Sequence, residues 1–240
     1  MISNFDIMRR ANSERELSRE FVSGARKPGL DIEEQTREET ITLVRQVFFS
    51  GSTIPQVVIF SAVERGSGCT WVCSRAANVL SAHVDGLVCL VDGDLRTPSL
   101  HSHFELEQSS TAMDEEFRLA PVRQSGRPLS ESNLWLLSKR SAGTNSQTPQ
   151  SLERLRSRVS ELRKDFTYIV VDAPPINAYS DAALLGSAAD GLVMVLEAND
   201  TRREAAIRAK DTLNAAAVPL LGAVLNKRTF PIPETLYRKL

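Results

Sequence analysis

Few side chains in this sequence can make covalent or metal cross-links. The 240 residues include three cysteines and three histidines. Cys69, Cys73 and Cys89 show no metal-ligand spacing with the histidines, and two of them fall within predicted core elements. A disulfide framework is therefore excluded as the organising device, and a reducing cytosol is expected. The chain also lacks a dominant charge: 29 Lys+Arg against 30 Asp+Glu leave a net charge of −1. That argues against a nucleic-acid binder, which would carry a basic domain or stripe. No apolar run approaches the roughly 18 residues that a membrane-spanning helix needs. The opening MISNFDIMRR has no apolar core of the kind a secretory signal carries. The expectation is a soluble, cytoplasmic protein.

What the chain does have is enough apolar residues, 42%, to bury one good core with some appendage. Residues 1–50 read as a helical extension. Ser3 followed by Asp6 resembles a capping box, with Ile2, Phe5, Met8 and Ala11 at helical spacing. A polar break, GARKPGL, precedes a second helix, IEEQTREETITLVRQVFF, whose Ile41, Val44, Val47 and Phe48 form an apolar stripe. From Pro55 the pattern alternates between strand and helix. QVVIF, GLVCLVD, NLWLLS, YIVVDAPP, GLVMVLEA and LLGAVLNK read as strands. Thr70–Ser81, SLERLRSRVSELRKDF, SDAALLGSAA and TRREAAIRAKDTLNAAA read as helices. The strands are nearly continuous apolar runs, as when both faces are covered. The prediction for 51–228 is an α/β domain: a doubly wound, mainly parallel sheet flanked by helices. Residues 229–240 form a tail.

In such sheets ligands bind beyond the carboxyl ends of the strands. Three predicted strand ends carry the relevant chemistry. ERGSGCT supplies Gly66 and Gly68, whose neighbouring N–H groups can curl around an anion at a helix N-terminus. Thr70 there can direct a hydroxyl at Mg²⁺. VCLVDGDLR supplies Asp92, Asp94 and Arg96, and YIVVDAPP supplies Asp172. Such hard oxygen ligands suit Mg²⁺. Taken singly these are weak signals, since a strand-terminal Asp is often a helix cap and Gly-x-Gly often a turn. Their occurrence in this order on one α/β pattern points to a phosphate site.

On these motifs the chain resembles the cytoplasmic domain of the bacterial tyrosine kinases of capsule and exopolysaccharide biosynthesis, a branch of the MinD/ParA-like P-loop ATPases. SAVERGSGCT is similar to the family's Walker A loop and VCLVDGDLRTPSLHSHF to its Walker A′ motif. YIVVDAPPINAYSDAALLGSAADGLVMVLEANDTRREA is similar to the Walker B strand and its continuation. The resemblance implies ATP or ADP and Mg²⁺ as cofactors. Arg65, Gly66, Ser67, Gly68, Cys69, Thr70 and Trp71 would bind the nucleotide, with the backbone of Arg65 to Thr70 around the phosphates. Asn226, ending LLGAVLN, would face the adenine. Thr70, Asp94 and Asp172 would hold the metal shell. Asp92 would activate the attacking hydroxyl or position the metal's water, placing Asp92, Asp94 and Asp172 in the catalytic set. The implied partners are a membrane-embedded chain-length or polysaccharide co-polymerase component and further copies of the chain. The protein would then sit at the inner face of the membrane through that partner.

The departures from the family pattern are equally specific. The P-loop lysine, which bridges β- and γ-phosphates, is replaced by Cys69. The accessory lysine of MinD-like loops falls at Glu64. Arg65 and Arg75 are the nearby cations that could compensate in part, though an arginine on a different stem rarely reproduces the geometry. A cysteine at a helix N-terminus can be a reactive thiolate; the plainer reading is a small residue filling the lysine's position. The oligomerisation motif Glu-x-x-Arg-x-x-Arg aligns on Glu39, Thr42 and Arg45, losing its central arginine. The C-terminal tyrosine cluster is reduced to Tyr237, the one candidate phospho-acceptor there. Three functional readings follow: a catalytically impaired, regulatory relative, a working tyrosine autokinase, or a MinD/ParA-like ATPase switch.

Overall fold

A computed structural model describes residues 4–8, 30–104, 127–129, 133–138 and 149–228. Eight strands form one sheet: β1 (Asn4–Met8), β2 (Val57–Ala62), β3 (Val88–Asp92), β4 (Arg127–Pro128), β5 (Leu134–Leu137), β6 (Tyr168–Ala173), β7 (Gly191–Glu197) and β8 (Leu220–Arg228). Six helices accompany them: α1 (Leu30–Phe48), α2 (Cys69–His83), α3 (Leu100–His103), α4 (Pro149–Leu162), α5 (Asp181–Gly186) and α6 (Arg203–Ala215). The strand order is β1-β8-β7-β2-β6-β3-β5-β4. All pairings are parallel except β4 with β5 at one edge.

Strand periodicity sorts the core onto two faces. Val57, Ile59, Cys89, Val91, Ile169 and Val171 point to one side, where α4 packs through Leu155, Val159 and Leu162 and α6 through Ala205, Ala209 and Leu213. The alternate residues Val58, Phe60, Val88, Leu90 and Val170 point to the other side, onto Leu43, Val44, Val47 and Phe48 of α1 and Val72, Ala76 and Leu80 of α2. Both faces being covered is why these strands read as unbroken apolar runs. The sequence-predicted doubly wound sheet is the one observed.

The N-terminal expectation needs correction. Asn4–Met8 is a strand, parallel to β8, with Phe5 opposite Val224 and Ile7 opposite Asn226. The helical spacing of Ile2, Phe5 and Met8 competes with the two-residue alternation Asn4-Phe5-Asp6-Ile7, and the open edge of β8 decides for the strand. The second helix of the extension is present as α1. Residues 9–29 and the tail 229–240, with Tyr237, lie outside the described residues.

The chain leaves β2 for β3 on one side, returns to insert β6 between them, and then continues to β7 on the other side of β2. The loop after β2 thus emerges where the winding direction reverses, the place where open α/β sheets bind ligands. Registers fix which residues meet there: Asp172 lies opposite Phe60 on one side and Asp92 on the other. Gly93 completes the junction. Its N–H donates to the Asp172 carbonyl at 2.7 Å, and a Cβ on it would come within 2.8 Å of that same oxygen. Gly93→Ala is therefore expected to destabilise the fold by about 1–3 kcal/mol in denaturant unfolding. Gly222→Ala, where nothing lies within 4 Å of the added carbon, is the control that changes little.

Candidate nucleotide site

The loop from Val63 to Gly68 turns out of β2 and feeds straight into α2. Gly66 (φ 89°) and Gly68 (φ 78°) occupy the left-handed region that side chains avoid. At Gly68 space is limiting as well: a Cβ would meet the Asn226 amide nitrogen at 2.5 Å. That amide donates to the Ser67 carbonyl at 2.8 Å. Lys227, next along, donates from Nζ to the Gly66 carbonyl at 2.6 Å and pairs with Glu197 at 3.1 Å. Two consecutive residues at the end of β8 thus clamp the loop from outside. A cleft of about 560 Å³ opens on its inner side, walled by the loop, Asp94, Ser99 and Asp172.

Thr70 and Asp172 meet directly, the hydroxyl donating to the carboxylate at 2.6 Å, with Ser99 Oγ 3.0 Å from the same hydroxyl. Asp94 also lines the cleft. Its carboxylate accepts from the N–H groups of Arg96 and Thr97 at 3.0 Å and from the Thr97 hydroxyl at 2.7 Å, holding its own turn.

Asp92 lies behind the cleft wall, opposite Asp172 in the sheet register. It is 3% exposed and is not among the residues lining the cleft. Its Oδ2 accepts from the N–H groups of Ser99 (3.0 Å) and Leu100 (3.1 Å) and from the Ser138 hydroxyl (3.0 Å), fixing the start of α3. Its Oδ1 has no hydrogen-bond partner among the described residues.

Asn226, expected to face a base, is 1% exposed and outside the cleft wall, with its Oδ1 unpartnered among the described residues. Trp71 is 8% exposed, belongs to the core and also lines the cleft. On α1, Thr42 and Arg45 are exposed and Glu39 is half-buried.

Burial dominates the electrostatics. It pushes the Asp92 carboxyl up to about 7, with the Asp172 charge adding to the effect. Burial also raises Asp172 to about 6, against the opposing pull of hydrogen bonds from Thr70 and the Cys69 thiol. Cys69 itself is pushed well above the ordinary thiol range, first by burial and then by the Asp172 charge. Both effects act against a reactive thiolate: a helix N-terminus lowers a thiol pKa only where burial and a carboxylate do not outweigh it.

The hydroxyl of Thr70 and the carboxylate of Asp172 form a hard-oxygen pair at the foot of an anion-cradling loop. This donor set fits Mg²⁺, which takes few protein ligands and keeps waters and phosphate oxygens as the rest. Among the described residues no group of three or more His, Cys, Asp or Glu could hold a metal ion unaided.

No protein-family model matches the chain. The tyrosine-protein kinase YwqD of Bacillus subtilis is 31% identical over 155 residues, which cover 64% of this chain and 65% of that protein. The tyrosine-protein kinase CpsD of Streptococcus pneumoniae is 26% identical over 201 residues, covering 82% and 87%. The chain is a homologue of the bacterial tyrosine-protein kinases. It spans just under two thirds of the length of the Bacillus kinase. Among solved structures, the kinase domain of the Escherichia coli tyrosine kinase ETK superposes with a TM-score of 0.73 at 21% identity, over 96% of this chain and 93% of that one. The septum site-determining protein MinD of Pyrococcus horikoshii, complexed with Mg-ADP, gives 0.59 at 19% identity over 76% of each chain. The shared fold is that of MinD-like P-loop proteins.

Of the residues expected around the metal, Thr70, Asp94 and Asp172 all line this cleft. Sequence reasoning missed Lys227 and Gly93, whose signals were only their places beside Asn226 and between two aspartates. A pH dependence follows from the buried acids. Both carboxyls ionise at higher pH in the folded chain than their ordinary 3.8, so between about pH 4 and 7 the folded state holds more protons than the unfolded one. The stability they contribute is full below about pH 4 and falls as pH rises through 6 and 7. In magnesium-free buffer Tm should decline across that window. Asp92→Asn, which keeps an acceptor for Ser99 and Leu100, should flatten the decline.

Proposed function

We propose that this homologue of the bacterial tyrosine kinases is a nucleotide-binding regulatory protein of exopolysaccharide or capsule biosynthesis, impaired in phosphoryl transfer. The observation that carries this reading is the thiol of Cys69, hydrogen-bonded to Asp172 where the family's loop carries a lysine. Phosphoryl transfer spreads charge over the phosphate oxygens, and a neutral thiol cannot compensate it. Loss of one preorganised charge-stabilising group costs roughly 10²–10³ in rate. The cradle itself is retained in this reading: the backbone of Arg65–Thr70 would bind the phosphates, and Thr70, Asp172 and Asp94 would surround the Mg²⁺ that neutralises them. Asn226 would meet the base from behind the loop.

The exposed Thr42 and Arg45 of α1 stand where the family's ring contacts would be, with the central arginine replaced, and Tyr237 is the one remaining acceptor in the tail. Both features fit a protein that acts by docking, with or without nucleotide, on a membrane-embedded chain-length or export component. No described helix is long and apolar enough to cross a membrane; in this reading membrane attachment comes through that partner. The Thr70–Asp172 contact favours a second reading, a working autokinase that tolerates the exchange.

Restoring the lysine tests the first reading. Cys69→Lys is expected to raise Mg-ATP affinity by about tenfold or more in calorimetric titration, the scale of one charge-assisted hydrogen bond. An unchanged affinity would mean that the pocket has lost more than its cation.

A further inference from the structure

The cleft lacks the lysine, yet one cation still faces it. Arg65 is the only Arg or Lys among the described residues lining the cleft, and its side chain is exposed. No carboxylate pairs with it among the described residues. It rests on Tyr179 instead. Its Nη2 donates to the phenol oxygen at 2.6 Å, and its guanidinium carbon lies 5.4 Å from the ring centroid.

Arg96 also covers that ring, at 4.4 Å, but its circumstances differ. Its Nε and Nη2 donate to the two Asp181 oxygens at 3.2 Å. Arg96 is thereby neutralised and fixed. Arg75, the other nearby arginine, lies over Trp71 at 5.0 Å and does not line the cleft. Of the three, Arg65 alone combines an unneutralised charge with a place at the phosphate loop.

We propose that Arg65 supplies to the phosphate chain of a bound nucleotide the positive charge that is missing at Cys69, and that Tyr179 is the resting place of its guanidinium. The inference rests on the nucleotide-binding reading above. The guanidinium stays charged at any working pH. Its fork matches two phosphate oxygens at once, and such charge-assisted pairs are stronger than a bond to a neutral phenol. The exchange of partners is therefore downhill when a polyphosphate enters. Because Tyr179 follows β6, the strand of Asp172, the resting contact also joins the metal-facing segment to the loop.

Calorimetric titration of the whole chain with Mg-ATP and Mg-ADP tests this, with circular dichroism to verify that each variant folds. Arg65→Ala should lower Mg-ATP affinity at least about tenfold and Mg-ADP affinity by less. Arg65→Lys should keep most of the affinity. Tyr179→Phe, which frees the guanidinium without removing it, should keep or raise it. Equal Mg-ATP binding by Arg65→Ala and the parent would overturn the inference while leaving nucleotide binding intact. So would a loss in Tyr179→Phe as large as that in Arg65→Ala, since the pair would then be structural. If the parent itself binds neither nucleotide, the proposed function fails and this inference with it.

Discussion

The hydroxyl of Thr70 can reach the carboxylate of Asp172 only because β2, β3 and β6 run parallel and end side by side. That single contact, 2.6 Å long, joins the first turn of α2 to the tip of a neighbouring strand. The loop after β2 is held on its inner side by it and on its outer side by Asn226 and Lys227. A backbone with two left-handed glycines would otherwise have many conformations open to it. Fixed at both ends, it lines one side of the cleft. At the same junction Asp92 accepts from the N–H groups of Ser99 and Leu100, which holds Ser99 beside Thr70 on the cleft wall.

Electrostatics then give the site its character. Asp92 and Asp172 are both buried at adjacent strand tips, and no lysine stands at position 69 to favour their ionised forms. Their carboxyls respond by keeping protons to about pH 7 and 6. The orphaned Oδ1 of Asp92 is a natural place for one of those protons. A thiol is compatible with such surroundings, since it donates to Asp172 and needs no counter-charge. A divalent cation entering the cleft would reverse the balance by stabilising the carboxylates. In the proposed reading, metal and proton would compete at this site, and its acids would couple ligand binding to pH.

Most of the architecture was legible in the sequence because two-sided burial writes itself as apolar runs. The runs ending in Asp92 and Asp172 predicted both the strands and the residues at their tips. Three things were hidden, each for a physical reason. Asn4–Met8 carries helical and strand periodicities at once, and the edge of β8 selects between them. Asp92 reads as a chemical acid from its strand end, and its hydrogen bonds to the Ser99 and Leu100 N–H groups show only once the chain is folded. Arg65 and Tyr179 lie 114 positions apart, and nothing local in either segment announces their contact. Long-range pairing between loops is invisible to spacing rules, which see one element at a time.

A P-loop usually joins two properties, holding a phosphate chain and transferring from it. In the proposed reading the loop, its glycine geometry and the hard-oxygen pair would serve the first, and the absent lysine would bear on the second. Intact-mass measurement of the purified chain after incubation with saturating Mg-ATP tests this separation most directly. The account predicts an unchanged mass in a protein that nonetheless binds the nucleotide. An added phosphate that disappears in the Asp172→Asn variant would contradict it and establish a working kinase.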